Sequence, residues 1–276
     1  MLLLQNKKFT QVAIAIALSI AVLILVIGRG EFASMRGDHH FVYETGNMEE
    51  SLDEEWWVNS GAYILKAENG FQTVQGELPW FSSWRIRYFS ANPRDSDSGA
   101  HPQNIFRLIR KMLWENGEQT VYARIQRINV SESPERDAWS GIFLLQRYKD
   151  QDTVYYAGLR QDGAAVIKKK IDGTYYTMAY APLFGADLVF QRDITPNLLP
   201  GMKWIGIRTI TLTLEDGIVS IRLFIDKEGN GAWEEVLEAQ DNGQKYGGIP
   251  IIGEAYGGIR SDFMDMEFKG YDVRPI

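Results

Sequence analysis

Side chains suited to binding a polar ligand recur at every second position of several extended segments of the chain. Successive side chains of a β-strand point to opposite faces, so residues two positions apart share one face. Arginine forks and aromatic rings bind polar and anionic groups. If these segments are neighbouring strands, one sheet surface would carry Tyr122, Arg124, Gln126, Gln146, Tyr148, Tyr156, Arg160 and Lys168. An ordinary solvated sheet face would give the same alternation.

A glycine-rich segment could bind a cation. Residues 226–231 have oxygen-bearing side chains at positions 1, 3 and 5 and glycine at position 6, as does the first half of an EF-hand calcium loop. Position 12 is Leu237 instead of glutamate, which excludes a complete EF-hand. We therefore predict a Ca²⁺ site formed by Asp226, Glu228, Asn230 and Asp241. A plain Gly/Asn hairpin is the alternative.

The composition excludes several kinds of chemistry. The chain of 276 residues has no cysteine, which rules out disulfides, thiol catalysis and cysteine-based zinc sites. Its histidines, His39, His40 and His101, do not form the cluster that a histidine metal centre requires. The formal net charge of -7 argues against nucleic-acid binding, which uses a basic surface.

Strands separated by tight turns must position these side chains. Glycine follows Asn or Asp at Gly70, Gly117, Gly163, Gly173, Gly217 and Gly243, which supplies the positive φ angles of hairpin turns. Between such turns, runs of β-branched and aromatic residues predict strands at 105–113, 120–130, 141–148, 153–160, 164–171, 175–181, 204–214, 218–226 and 257–273. No long amphipathic helix is predicted, and residues 90–103 read as a polar loop.

The N-terminal region contains an apolar segment long enough to span a bilayer. Residues 11–28 carry no charge, and ~20 apolar residues cross ~30 Å of hydrocarbon as a helix. Lys7 and Lys8 precede this segment, so the positive-inside rule places residues 1–10 in the cytoplasm and the following domain outside the cell membrane. Residues 29–50 are polar and predict a stalk. A secreted form after signal cleavage is the alternative, although Glu31 disfavours a cleavage motif.

Four patterns within residues 51–276 carry a resemblance to a known superfamily. They are Trp56-Trp57 followed by Asn69-Gly70, the hairpin 155–170, the strand 221–226, and the closing segment 257–262 with Phe268, Tyr271 and Val273. Together they resemble the concanavalin A-like lectin/glucanase superfamily, which includes laminin-G-like modules. The resemblance implies an all-β, two-sheet antiparallel jelly-roll sandwich that forms one domain over 51–276, and a polysaccharide or other glycan as its ligand.

The same superfamily contains enzymes, whose catalytic motifs are not matched. Family 16 glycosidases use carboxylates spaced E-x-D-x-E or E-x-D-x-x-E, and the nearest cluster here is Asp262, Asp265 and Glu267. A solvated strand face or an ion site is the favoured explanation of that cluster. Residues 170–175 resemble the Lys-x-Gly-x-Tyr element of alginate lyases, but with a different spacing and no histidine partner. An Asp-Gly hairpin is favoured there.

The sequence therefore predicts a membrane-anchored, extracytoplasmic carbohydrate-binding or adhesive module. A glycan-active enzyme of the same fold, either a polysaccharide lyase or a glycoside hydrolase, is the alternative. No catalytic residue is assigned, and Ca²⁺ is the predicted cofactor.

Overall fold

A computed structural model describes residues 40–68, 70–185 and 187–276 of the chain. The predicted cytoplasmic residues 1–10, the membrane segment 11–28 and residues 29–39 of the predicted stalk lie outside the described residues. Within the described ranges, no helix is both long and apolar enough to cross a membrane.

The described residues form two packed sheets, with one α-helix and a short 3-10 helix. In chain order the strands are His40–Tyr43 (β1), Trp56–Ser60 (β2), Tyr63–Ala67 (β3), Gly70–Gln72 (β4), Ile105–Trp114 (β5), Gly117–Ile128 (β6), Gly141–Asp150 (β7), Thr153–Arg160 (β8), Ala164–Ile171 (β9), Thr174–Pro182 (β10), Ile205–Thr213 (β11), Val219–Asp226 (β12), Glu234–Asp241 (β13), Ala255–Asp262 (β14) and Met264–Pro275 (β15). The α-helix is Ser83–Ala91 (α1), and the 3-10 helix is Pro102–Asn104.

The two sheets confirm the predicted all-β antiparallel sandwich. The eight-stranded sheet has the order β1-β3-β4-β15-β6-β11-β12-β13, and the seven-stranded sheet has the order β10-β9-β8-β7-β14-β5-β2. The predicted strands between residues 105 and 226 all coincide with observed strands. Their ends are defined by the local turns, which is why the sequence located them.

Alternation along each strand places one face of each sheet in a shared apolar core. In β12, Val219, Ile221, Leu223 and Ile225 are fully buried in this core. Fully burying such a side chain contributes roughly 1.5–3 kcal/mol relative to exposure. The seven-stranded sheet presents Leu144 and equivalent residues to the same layer. The remaining side chains of both sheets must therefore point outward.

The segment 257–273, predicted as one strand, forms two strands in different sheets. β14 pairs with β5 and β7, whereas β15 pairs with β4 and β6. Between them Phe263 has a φ of 55°, a left-handed conformation that is rare for a bulky residue. The prediction of one strand is wrong because the apolar pattern continues through this crossover without a turn signal.

The sequence did not predict α1. Its apolar residues do not form a buried stripe, since Tyr88 is buried while Ile86 and Phe89 are exposed. An amphipathic helix pattern is therefore missing. At the N-terminal side, β1 pairs with β3, so the sandwich already includes residues 40–43, which lie in the middle of the range 29–50 predicted as stalk.

A buried ion pair joins the two sheets at one end of the core. Lys169 of β9 lies 2.8 Å from Asp241 of β13, and both side chains are fully buried. The Lys169 ammonium also donates to the carbonyls of Gly248 (2.9 Å) and Ile249 (2.7 Å), and the Tyr155 hydroxyl donates to Asp241 at 2.7 Å. Both charges are thus satisfied inside the protein, and the segment after β13 is held against β9.

Removing one member of this pair should leave the other charge buried alone. We expect Asp241→Asn to lower the free energy of unfolding by about 3–5 kcal/mol. The matched control is Glu234→Gln, which breaks an exposed pair with Lys227 at the other end of the same strand and should cost at most about 1 kcal/mol. Urea denaturation measures both values. Equal losses in the two variants would show that the interior pair does not hold the sheets together.

Candidate functional site

The outer face of the seven-stranded sheet carries a cleft with a volume of ≈ 650 Å³. Side chains of β9, β10 and β14 that point away from the core form its floor. Its walls are two loops, residues 92–95 after α1 and residues 135–140 before β7. A cleft of this size lies in the range of small-ligand sites.

Lys168 lies at the floor of the cleft with a charge that no carboxylate pairs directly. The residue is 7 % exposed, and its ammonium lies 4.7 Å from the ring centre of Phe143 and 5.5 Å from those of Trp139 and Tyr175. Among the described residues, no carboxylate lies within the 4.0 Å of an ion pair from this ammonium. Burial, helped by the positive charges of Arg260 and Arg160, lowers the pKa of Lys168 to about 8, although the carboxylates of Asp262 and Asp137 act in the opposite direction.

Arg260 of β14 orients Tyr175 in the same cleft. Its Nη1 donates to the Tyr175 hydroxyl oxygen at 3.0 Å, and its Nε donates to Asp262 Oδ1 at 2.8 Å. Burial opposes the charge of Arg260, but Asp262, Tyr156 and Tyr175 together outweigh burial and raise the pKa of the guanidinium above its usual value. Burial likewise acts to raise the pKa of Tyr175, but the charge and hydrogen bond of Arg260, with the help of Lys170 and Tyr156, lower that pKa below its usual value. Tyr175 therefore ionises more readily than a free tyrosine.

Arg160 supports the wall that carries Trp139. Its guanidinium carbon lies 3.7 Å from the ring centre of Trp139 and 5.0 Å from that of Tyr180. Its Nε donates to the carbonyl of Ala138 at 3.1 Å, and Asp162 pairs with it at 2.5 Å. Trp139 remains 46 % exposed, which leaves much of its indole available to a ligand.

Arg136 anchors the same wall from inside the protein. Its Nε donates to the carbonyl of Ser131 at 2.6 Å, and Nη2 pairs with Asp193 at 2.5 Å. Arg192 Nε donates back to the carbonyl of Arg136 at 3.0 Å. These bonds tie the loop to a distant segment, so the wall is formed before a ligand arrives. Preorganisation of this kind lowers the ordering cost of binding.

Carboxylates line the walls around the cationic floor. They are Asp95, Glu135 and Asp137. Asp95 accepts a hydrogen bond from the Ser133 hydroxyl at 2.6 Å, and Asp137 accepts one from the backbone N–H of Trp139 at 2.7 Å. The floor thus offers Lys168 and Arg260 beside the carboxylate of Asp262, and the walls offer hydrogen-bond acceptors together with the cation of Arg94.

The structure separates the eight residues predicted to form one ligand surface. Four of them share the outer face of the seven-stranded sheet, namely Tyr148, Tyr156, Arg160 and Lys168. Lys168 lines the cleft, and Arg160 supports its wall. Tyr148 packs instead into an apolar cluster with Trp57 and Ile109.

The other four predicted residues lie elsewhere. Gln146 points between the sheets, where its Oε1 accepts a hydrogen bond from Gln119 at 2.9 Å. The remaining three, on β6, are Tyr122, Arg124 and Gln126. The prediction of a single surface is wrong because β6 pairs with β11 and β15, and so belongs to the opposite sheet. On that outer face Arg124 is already paired with Glu267 and lies 4.6 Å from the ring centre of Trp204.

Sequence reasoning missed Trp139, Tyr175 and Arg260 as site residues. Tyr175 belongs to the segment that resembles a lyase element, and that resemblance was the one signal able to find it. Arg260 lies in the closing segment, where the pattern indicated fold alone. Trp139 is in a loop, where side chains do not alternate regularly and the sequence therefore does not predict which way they point.

The residues predicted to bind Ca²⁺ lie at opposite ends of the β12–β13 pair. Asp226, Glu228 and Asn230 are in the connecting hairpin, whereas Asp241 is at the far end and pairs with Lys169. The structure thus excludes Asp241 from a shared site. The Asp226 carboxylate accepts the N–H of Gly231 at 2.6 Å. Within the described ranges, no cluster of three acidic or histidine side chains is placed to hold a metal. Calcium binding by the hairpin stays a prediction.

The crossover at Phe263 disperses the carboxylates near the C-terminus. Asp262 lines the cleft, whereas Asp265 and Glu267 belong to the other sheet. Asp265 is buried and accepts a hydrogen bond from Asn129 at 2.9 Å. These three carboxylates do not face one bond, as a glycosidase pair must.

Comparisons with known proteins agree with the fold. No protein-family model and no curated protein sequence matches the chain. A similar solved structure is the carbohydrate-binding module CBM66 from Bacillus subtilis, at 11 % identity and a TM-score of 0.49, with 79 % of this chain and 94 % of that chain covered. The winged bean acidic lectin is 9 % identical with a TM-score of 0.42, and the match covers 86 % of this chain and 99 % of the lectin. The Bacillus licheniformis β-glucanase is 6 % identical with a TM-score of 0.41, and the match covers 87 % of this chain and 99 % of the glucanase. The two antiparallel sheets are the architecture that the resemblance to the concanavalin A-like superfamily implies. At these identities and TM-scores, the similarity carries no argument about the site.

Removing the charge of Lys168 should stabilise the protein. Its pKa falls from 10.5 to about 8, and each unit corresponds to about 1.4 kcal/mol, so we expect Lys168→Met to raise the free energy of unfolding by about 1–3 kcal/mol at neutral pH. The folded protein releases this proton at lower pH than the unfolded chain does, so the wild type gains stability as pH rises above about 8. The difference in the free energy of unfolding between Lys168→Met and the wild type should therefore become smaller as pH rises above about 8.

Denaturant unfolding at several pH values measures this difference. Lys203→Met is the matched control, because Lys203 pairs with Glu228 at the surface, and this variant should change the free energy of unfolding by at most about 1 kcal/mol. A loss of stability in Lys168→Met at neutral pH would show that the ammonium is well compensated in its cleft.

Proposed function

We propose that the chain is a membrane-anchored, extracytoplasmic module whose cleft binds an acidic glycan. The observation that carries this proposal is the buried ammonium of Lys168, which has no carboxylate partner and lies beside Arg260. A sugar carboxylate placed at this floor would supply the missing anion. Hydrogen bonds to charged groups in such sites contribute roughly 1.5–3 kcal/mol.

Two further features favour a sugar acid over other anions. The rings of Trp139 and Tyr175 offer flat surfaces for the apolar face of a pyranose. Asp95, Glu135 and Asp137 on the walls can accept hydrogen bonds from hydroxyl groups but would repel a densely charged polyanion. A ligand with one carboxylate and several hydroxyls matches this arrangement.

Membrane anchoring is supported by the sequence of residues 11–28. An uncharged apolar segment of this length, preceded by Lys7 and Lys8, fits a helix that spans the bilayer with its N-terminus in the cytoplasm. A secreted domain, released after signal cleavage, is the alternative.

A polysaccharide lyase is the second candidate function, and Tyr175 is the observation that favours it. Arg260 holds the Tyr175 hydroxyl and lowers its pKa, as a catalytic base requires. The phenolate would take the proton from the sugar carbon next to the carboxylate, and the electron pair left on that carbon would form a C=C double bond as the glycosidic C–O bond at the neighbouring carbon breaks. The leaving oxygen would take the proton back from the Tyr175 hydroxyl. Accumulation of an unsaturated uronate product, lost in Tyr175→Phe, would distinguish a lyase from a binding module.

Binding of oligogalacturonides, compared with neutral galactose oligomers of equal length, tests the proposed function. We expect the acidic oligomer to bind the wild type and Lys168→Met to weaken its binding by roughly 10- to 150-fold, the equivalent of 1.5–3 kcal/mol. Isothermal titration calorimetry provides the dissociation constants. Because only protonated Lys168 attracts a carboxylate, affinity should also fall as pH rises through about 8.

Arg124→Ala is the control for this measurement, since Arg124 lies on the outer face of the opposite sheet. It should leave the affinity unchanged. Equal binding of acidic and neutral oligomers, or full binding by Lys168→Met, would contradict the assignment of an acidic ligand to the cleft. A loss confined to Arg124→Ala would instead move the site to the other sheet.

A further inference from the structure

Four large apolar side chains are exposed at α1 and in the turn before it. Trp80 is 77 % exposed, Phe89 60 %, Ile86 53 % and Phe81 42 %. The rings of Trp80 and Phe81 contact each other at 5.6 Å, and none of the four belongs to an apolar core cluster of the described residues. We refer to Trp80, Phe81, Ile86 and Phe89 as the α1 patch. Grouped exposed apolar residues mark a surface that binds another partner.

The opposite side of α1 is attached to the beginning of the sandwich. The Tyr88 hydroxyl accepts the N–H of Gly61 at 2.7 Å and donates to Glu44. The ring of Trp84 stacks on that of Tyr43 at 6.4 Å with an interplanar angle of 9°. The α1 patch therefore has a fixed position next to β1.

The chain before β1 keeps this patch close to the predicted membrane segment. Residues 29–39 separate the apolar segment 11–28 from His40, the first residue of β1. Fully extended at ~3.3–3.6 Å per residue, they reach at most ~40 Å. The domain thus cannot move far from the bilayer that would hold residues 11–28.

The chemistry of the α1 patch suits a lipid surface. Tryptophan and other aromatic side chains favour the membrane–water interface. The neighbouring arginines are compensated, since Arg85 pairs with Glu77 at 2.6 Å and Arg87 with Glu44 at 3.4 Å. The surface around the patch is therefore close to neutral, which favours insertion of apolar groups over attraction to a charged partner.

We propose that the α1 patch docks onto the outer surface of the membrane that anchors the chain. This inference rests on the membrane anchor proposed above but not on glycan binding. α1 lies in the interface with its exposed apolar residues below the headgroups. Residues 92–95, which form one wall of the cleft, follow α1 directly, so docking keeps the cleft beside the bilayer.

The absence of cysteine from the sequence makes a site-specific test possible. The full chain, reconstituted into phosphatidylcholine vesicles, carries a single cysteine labelled with bimane, either as Phe89→Cys or as Ile86→Cys. Asp216→Cys is the matched control, because it is exposed in the β11–β12 hairpin at the opposite end of the sandwich. All three positions are exposed, so the substitutions should not disturb the fold.

Flotation of the vesicles reports on the anchor, and quenching of bimane by spin-labelled lipid reports on docking. Because interfacial helices bury their apolar face ~5–10 Å deep, quenching at positions 86 and 89 should be roughly twofold or more greater than at 216. Flotation with equal quenching at all positions would overturn docking and leave the anchor intact. A blue-shifted emission without lipid quenching would mean that a protein partner or a second copy covers the patch. Failure to float would overturn both the anchor and the docking.

Discussion

The burial of one apolar layer between the two sheets decides the direction of nearly every other side chain. Lys168 and Lys169 are neighbours on β9 and show what this constraint does. Lys169 points into the interior, where Asp241 and two carbonyl groups satisfy its charge. Lys168 points outward into the cleft, where aromatic rings surround it and no carboxylate pairs with it. A single step along the strand thus separates a charge that the fold satisfies from one that we propose binds the ligand.

The two lysines also differ in their energetic consequences. Burial of a charge is unfavourable unless partners replace the lost water. Lys169 has its partners within the fold, and it links β9 to the segment after β13. Lys168 lacks them, so the folded protein holds an ammonium whose best partner would come from outside. Titratable groups whose charged form is destabilised by burial in a cleft are common at binding sites.

The cleft is assembled from parts of the chain that are far apart in sequence. Tyr175 and Arg260, which share a hydrogen bond, are 85 residues apart. Trp139 depends on Arg136 and Arg192 for the position of its loop, and on Arg160 for the position of its ring. The apolar layer orients the floor, whereas buried arginines orient the wall. The site is therefore rigid although much of it lies on a loop.

Local patterns in the sequence determined most strands between residues 105 and 226 and the face of most of their polar side chains. Alternation in β6, β8 and β9 placed Tyr122, Arg160 and Lys168 on outward faces, because a strand has a period of two wherever it occurs. Asn-Gly and Asp-Gly pairs located the hairpins for an equally local reason. Only the tertiary structure decided which strands are neighbours. Both sheets carry polar side chains on their outer faces, and alternation does not distinguish one sheet from the other. The crossover at Phe263 and the inward turn of Gln146 depend on packing between distant residues, which no single segment of the sequence encodes.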